Sequence, residues 1–420
     1  MSVFLVKKNL NFQSIIQVLV VFFIFSVVIM PSGTIGSINI KLLSIGMLSL
    51  VLFLDLISKK NITKKSLSLF LVFLFSLIFV ALNYTTSSYF SEMKGYSLDE
   101  SILFITYFFS TSLLSIIVIE KIVNAELILK SIFYSSVVYA CIKLLLTFLS
   151  FVNILPIQFT SEFIFQEFKV QPMLFPITDN LSRLQLANDY IICFVLFFMI
   201  SMSDKFKFLG RNKLFIYFFI LLFCVLVSFS RYMMIVLFLA ILFYIVNSFK
   251  FTFKKIIYFF VFFLVLFFIY FKYMDVVNNF ISIRFSNDTS GSSDSTRQLQ
   301  VNCLLSAFQE RPLLGYGGMG DYSLACPGPY GAEFSYEVQY LGYLFRFGIF
   351  QTLLIVIIYF TLFSLSINRK FYTIENFIPL LAFVIWMTIG FFNPYLVSSY
   401  ASIIVILCAV MTYSKKNDFQ

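Results

Sequence analysis

The stretch Ser14–Pro31, SIIQVLVVFFIFSVVIMP, carries no charge and follows Lys7 and Lys8. Roughly 17 to 25 apolar residues, wound as a helix, cross ~30 Å of hydrocarbon, and this stretch fits that length. About a dozen runs of the same kind fill the chain. Their positions predict spans at 14–31, 38–58, 66–84, 98–119, 126–149, 187–202, 213–229, 232–248, 255–272, 340–365, 375–391 and 396–413. Across all 420 residues, 60% are hydrophobic and 12% charged, where a soluble domain carries about 25% charge. Mean hydropathy is +0.95. The expected fold is an all-α polytopic membrane protein with about 12 transmembrane helices. A β-barrel, built from short segments of alternating polarity, is excluded. No small-residue cleavage site follows the first run, so it is expected to stay as a helix.

Short loops decide orientation. With the N-terminus inside, Lys59, Lys60, Lys64, Lys65, Lys205, Lys207, Lys254 and Lys255 fall on the cytoplasmic side, as do most of the 30 basic residues. An even number of spans returns Lys415 and Lys416 to the same side. The net charge of +10 therefore reads as loop lysines and not as a nucleic-acid surface. Residues 1–420 read as one integral membrane domain with two long outer loops, 150–186 and 273–339. The second loop contains Asn287–Thr296, too polar to bury the apolar area that folding alone requires. A short helix from Leu299 to Phe308, stopped by Pro312, is predicted next. Gly315, Gly317, Gly318 and Gly320 then allow tight turns and close backbone approach.

Composition removes some chemistry. The chain has no histidine, so imidazole bases and histidine metal ligands are absent. Its six cysteines form no CxxC pair. Cys303 and Cys326 are the two in an outer loop, where an oxidising exterior permits a disulfide. Closing that loop would stabilise it by ~2–4 kcal/mol. Cys141, Cys193, Cys224 and Cys408 read as helix packing.

Eight of the basic residues are arginine, and six of those lie outside: Arg183, Arg231, Arg284, Arg297, Arg311 and Arg346. Orientation does not ask for them there. Arginine's planar fork grips two phosphate oxygens at once, as a membrane enzyme acting on a polyprenyl pyrophosphate would need. For Arg284 and Arg311 the plainer reading is loop charge. Arg231 follows Ser228-Phe-Ser230 in a turn too short to carry it far from the surface. Arg183 lies in Asp179–Asp189, DNLSRLQLAND, as the chain re-enters the membrane, where Asn188 and Asp189 are placed to cap or line a helix start. Glu337 lies in Tyr336–Gly348, YEVQYLGYLFRFG, at the entry to a span. Glu333 shares its face if the helix begins that early, and Tyr340 continues the face. Arg346 is about half a turn out of phase, so a Glu337–Arg346 pair within one helix is not expected. A rim carboxylate serves as base, metal ligand, hydroxyl acceptor or plain salt-bridge partner. Asn393-Pro394 reads as a tight turn.

From Arg297 to Gly348 the sequence resembles the family of O-antigen polymerases and ligases, bacterial membrane glycosyltransferases that use undecaprenyl-pyrophosphate-linked sugars. The parts fall in order. An arginine opens a short helix, and Phe308–Gly317, FQERPLLGYG, is close to the family's f..hPllGvG. A glycine-rich stretch, then Glu337-Val-Gln-Tyr-Leu and Phe347-Gly-Ile349, complete the pattern. Arg183 and Ser230-Arg231 resemble further family features. The ligase branch generally has a histidine where this chain has Glu337, which favours the Wzy-type polymerase branch.

The resemblance implies a GT-C-like polymerase/ligase architecture in the bacterial inner membrane, with the active site facing the periplasm. It implies transfer of a growing chain from undecaprenyl pyrophosphate to a lipid-linked repeat unit; direct attack would invert the anomeric carbon, and no cofactor and no metal are expected, because arginines can take over a metal's charge role. Arg183, Arg231 and Arg297 would hold the pyrophosphate, and Glu337 would orient or deprotonate the acceptor hydroxyl. Arg346, Arg284, Glu333, Tyr340 and Asn188 are the expected substrate-binding residues around them. Expected partners are the lipid-linked donor and acceptor, a chain-length regulator and a flippase, with no nucleic acid. A ligase-like transferase and a lipid-linked oligosaccharide flippase stay open. So does a secondary transporter, which would more naturally carry intramembrane acidic residues.

Overall fold

Inside hydrocarbon, backbone amides have no water to bond, so an apolar run satisfies them along its own axis. The computed structural model describes residues 12–30, 33–35, 38–59, 62–90, 96–152, 154–168, 170, 172–176, 182–247, 287–329, 332–368 and 374–413. Its helices are α1 (Phe12–Ile29), α2 (Ile40–Lys59), α3 (Lys64–Phe90), α4 (Ser97–Ile119), α5 (Ala125–Phe151), α6 (Ile157–Phe168) and α7 (Asp189–Ser201). They continue as α8 (Arg211–Val227), α9 (Arg231–Asn247), α10 (Asn287–Glu310), α11 (Gln339–Ser366), α12 (Ile374–Met387) and α13 (Ser399–Tyr413). The predicted span 255–272 and Arg284 lie outside the described residues.

Among the described residues, six helices are long and apolar enough to cross a membrane alone: α1 to α5, and α11. The other predicted spans that lie among the described residues fall on shorter helices. One of these, α8, follows a 3-10 turn, Ser203–Leu209, at a bend of 111°. Two of the short ones, α7 and α13, lie deepest. Every residue of α7 from Asp189 to Met199 is buried, as is every residue of α13 from Ser399 to Met411. A helix apolar on all sides belongs in the interior, and here α13 packs against α4, α5, α7 and α12 while α7 packs against α8 and α9. Outer helices instead expose apolar side chains such as Phe53 and Leu71, as a lipid-facing surface does.

Among the described residues, two short antiparallel hairpins interrupt the helical pattern, β1 (Thr34–Ile35) with β2 (Ile38–Asn39) and β3 (Met173–Pro176) with β4 (Ser182–Gln185). The first long loop is therefore not plain coil; it holds α6 and then the β3–β4 hairpin, where Arg183 pairs with Phe175. In the second loop the polar run is also ordered differently from expectation. It is the first part of α10, one helix from Asn287 to Glu310. Once Leu304 is buried and Cys303 is anchored, extending a helix backward costs far less than nucleating one. The helix still ends before Pro312, as a proline requires. A further correction concerns Glu333 and Glu337, which precede α11 and so do not share a helical face.

Candidate functional site

The second loop reaches the bundle through a break in α11. Gly348 has φ 64° and ψ −177°, outside helical values, and nearby carbonyls turn to the loop instead. Tyr316 N–H donates to Phe345 O (2.9 Å) and Gly317 N–H to Arg346 O (3.2 Å), while Ile349 N–H donates to Pro312 O (2.9 Å). Contact is so close that a Cβ on Gly315 would lie 2.3 Å from Arg346 O, and one on Gly348 2.3 Å from Leu313 O. Both glycines also have positive φ, which side-chain-bearing residues rarely adopt.

Arg346 points inward from this junction. Its Nη2 lies 2.9 Å from Glu100 Oε1 on α4, and Nη1 donates to Phe334 O (2.7 Å) and Asp321 O (3.4 Å). Gly320 N–H donates to the other Glu100 oxygen at 2.6 Å, and Ser87 Oγ donates to Asp321 Oδ1 at 3.1 Å. At 2% exposure, Arg346 is a clamp between loop and bundle. Both Nη atoms are held by protein groups there. Arg311 is exposed and lies over the Tyr316 ring at 4.6 Å, the plain loop contact expected of it.

The clamped loop carries a carboxylate–arginine pair. Cys303 and Cys326 are joined as a disulfide, tying α10 to the loop beside a cluster of Leu304, Tyr336, Val338 and Phe345. On α10, Gln300 Oε1 accepts the Glu337 N–H at 3.0 Å. One turn earlier, Arg297 Nε lies 2.7 Å from Glu337 Oε2, with the two side chains 27% and 26% exposed. The contact is an ion pair by distance, although the N–H direction falls outside hydrogen-bond geometry. Burial pushes the Tyr336 hydroxyl above its ordinary pKa, opposed by its bond from Ser323 N–H and by Arg346.

Two more arginines lie within electrostatic range of each other near the turn before α9. Arg183 Nε donates to Ser228 O at 2.9 Å, and Nη2 donates to Gln185 Oε1. Burial holds the Arg183 guanidinium below its ordinary pKa; Tyr190, Asp189 and Tyr395 raise it, and the like charge of Arg231 lowers it further. Arg231 opens α9, and its neighbour Tyr232 pins that end by donating to Ile385 O on α12 at 2.6 Å. An apolar groove between α5 and α8 is lined by Leu144, Phe148, Phe219, Phe223 and Val227.

Tyr395 joins the two halves. Its ring lies 5.3 Å from that of Tyr190, whose hydroxyl accepts from Gln185 at 3.1 Å. The next residue, Leu396, donates its N–H to Gln339 Oε1 at 3.0 Å, two positions after Glu337. Burial pushes the Tyr395 hydroxyl up to about 12; the carboxylates of Asp189 and Glu337 add to the rise, and Arg183 opposes it. One phenol thus feels both Glu337 and Arg183.

The remaining expected ligands hold the frame. Asn188 is fully buried, and its amide donates to Val27 O (3.2 Å) and Val28 O (2.7 Å) at the end of α1. Tyr340 Oη donates to Met387 O at 2.9 Å, bracing α11 on α12. Glu333, half-buried, accepts the Gly328 N–H at its carbonyl, 2.8 Å away. Sequence reasoning missed Tyr395, although it adjoins the Asn393-Pro394 turn, and Gln300, whose position on α10 carried no signal. Among the described residues, no three Cys, Asp or Glu side chains gather as a metal-holding group.

No curated protein and no solved structure matches the chain. A family model described as O-antigen ligase matches residues 216–356, a range that contains Arg231, Arg297, Glu337 and the disulfide, and over that range the chain is similar to that family.

Proposed function

We propose that the protein is a metal-independent membrane glycosyltransferase that polymerises undecaprenyl-pyrophosphate-linked repeat units at the periplasmic face of the inner membrane. The family match supports polymerase or ligase activity alike. The polymerase reading is favoured by Glu337 at the position where ligases generally carry histidine, in a chain that has none. The observation that carries the reading is the bridge at the turn before α13: the Tyr395 ring lies 5.3 Å from that of Tyr190 on the Arg183 side, and Leu396 N–H donates to Gln339 Oε1, two positions after Glu337. It supports treating the arginine pair and the carboxylate as two sides of one site.

In this mechanism Arg183 and Arg231 grip the donor pyrophosphate, and Arg297 turns from Glu337 to join them. The polyprenyl tail follows the α5–α8 groove. Glu337 then faces the acceptor hydroxyl. The hydroxyl oxygen attacks the anomeric carbon, its proton passes to Glu337, and the sugar–phosphate bond breaks with its electrons on the pyrophosphate. Direct attack inverts the anomeric configuration. Fixed cations at the leaving group stabilise charge as it develops. Both termini are cytoplasmic, on a twelve-span path that places the two long loops outside.

The test is loss of the gene followed by analysis of lipid-linked products. A polymerase leaves single repeats at the outer face and attached to lipid A-core, with no chains. A ligase leaves long chains on undecaprenyl pyrophosphate, and a flippase leaves single repeats inside. Either of those results rejects the polymerase reading.

A further inference from the structure

Two ionisable residues lie deep in the bundle where orientation does not call for them. Lys143 on α5 and Asp189 at the start of α7 stand 2.7 Å apart, with side chains 2% and 0% exposed. Taking each charge out of water is costly, and charges at such depth usually serve function. Asp189 is saturated. Its Oδ1 accepts from Tyr139 Oη at 2.9 Å, and Oδ2 accepts from Lys143, from Leu186 N–H at 3.0 Å and from Ser228 Oγ at 2.9 Å. Lys143 also donates to Ser228 Oγ at 2.6 Å.

The two segments tied to this pair are those that carry the arginines. Leu186 follows Arg183 by one turn of chain, and Ser228 precedes Arg231 by the same interval. The Ser228 carbonyl then takes Arg183 Nε, which binds the two segments to each other. Because the pair is neutral as a unit, it adds no net charge to the site above it; what it supplies is placement. We propose that Lys143 and Asp189 are positioning residues that fix the spacing and direction of the Arg183 and Arg231 guanidinium groups toward a lipid-linked pyrophosphate. The proposal rests on reading those arginines as the phosphate grip. With Nε held by Ser228 and Nη2 by Gln185, Arg183 has its plane set before a ligand arrives, so little freedom is lost on binding.

The test is a double-mutant cycle on the full chain in lipid nanodiscs, with synthetic undecaprenyl-pyrophosphate repeat units as substrate. The readouts are donor affinity, single-turnover rate and melting temperature. Lys143→Met/Asp189→Asn removes both charges at similar volume and leaves no lone buried ion. It should melt near wild type yet lower the rate about 10²-fold, the scale of a small misplacement. In an Arg183→Lys background most of that loss should vanish, since residues acting through one another are not additive. A full, additive loss in that background overturns the positioning role, as does a wild-type rate in the paired variant. Arg183→Lys alone with unchanged donor affinity would overturn the phosphate grip itself, a separate result. If the paired variant does not fold, Ser228→Ala takes its place. It keeps the ion pair and should show the same non-additivity with Arg183→Lys; additivity there overturns the proposal equally.

Discussion

Arg297 and Glu337 come from different elements, the middle of α10 and the segment before α11, and meet at 2.7 Å at the edge of the bundle. Neither is deeply buried, so the pair gains little from a low-dielectric setting, and exposed pairs contribute only ~0–1 kcal/mol. Its partial exposure suits groups that exchange partners when substrate arrives.

Glu337→Gln keeps the side chain's size and removes its basicity. The single-turnover rate should fall by ~10²–10⁴-fold, the range for general-base catalysis, with both lipid-linked substrates still bound. Glu333→Gln, in the preceding turn, should keep most activity. An unchanged rate in the Glu337→Gln protein would rule the carboxylate out as base.

Arg297→Lys keeps the charge and loses the fork. Chain-length ladders, normalised to protein in the membrane, should lose most of their long products. Arg183→Lys and Arg231→Lys should behave alike, and Arg284→Lys should be much milder. Full ladders from the Arg297→Lys protein would remove that residue from the pyrophosphate grip.

Arg346→Met leaves Glu100 as an unpaired carboxylate beneath the loop. Removing one partner of a buried pair costs about 3–5 kcal/mol, so the expected defect is instability. Melting curves should shift downward, while activity per folded molecule stays within a few-fold of wild type. A normal melting point with lost activity would instead point to the substrate-binding role expected of Arg346.

The disulfide should appear as linked peptides containing Cys303 and Cys326 when alkylated, unreduced protein is examined by mass spectrometry. Cys303→Ser/Cys326→Ser should lower stability by ~2–4 kcal/mol. Free thiols at both positions in mature protein would contradict the bond.

Reporter fusions address orientation. Ser292 and Lys415 should report opposite faces of the membrane, with Ser292 outside, because short lysine-bearing loops favour the cytoplasm. The same face at both sites would require a different path through the bilayer.

Much of this fold was legible because hydrocarbon imposes one rule, a run of apolar residues for every span. The runs at 38–58 and 98–119 become α2 and α4 almost residue for residue. Short interior helices such as α7 blurred the count, since length stops signalling a span where protein surrounds a helix on all sides. In the site, the rim arginines and Glu337 stood out because they defied the orientation rule or the apolar background. Their pairings did not. Nothing in the spacing of Glu100 and Arg346, or of Lys143 and Asp189, announces contact across different helices. A polar run such as Asn287–Thr296 offers no apolar periodicity, and its helix depends on the anchored residues that follow.

The interlock at Gly348 bears on how this protein can be engineered. Backbone donors of the second loop end on carbonyls of a membrane helix, and that helix's own break is filled by Pro312 and Leu313. The loop is thus not a detachable module. Excised as a soluble fragment it would lose Glu100, Ser87 and the α11 carbonyls together, and a graft onto a relative would need α3, α4 and the first turns of α11 to travel with it. Specificity swaps between such proteins should therefore cross over within the helices, not at the loop's visible ends.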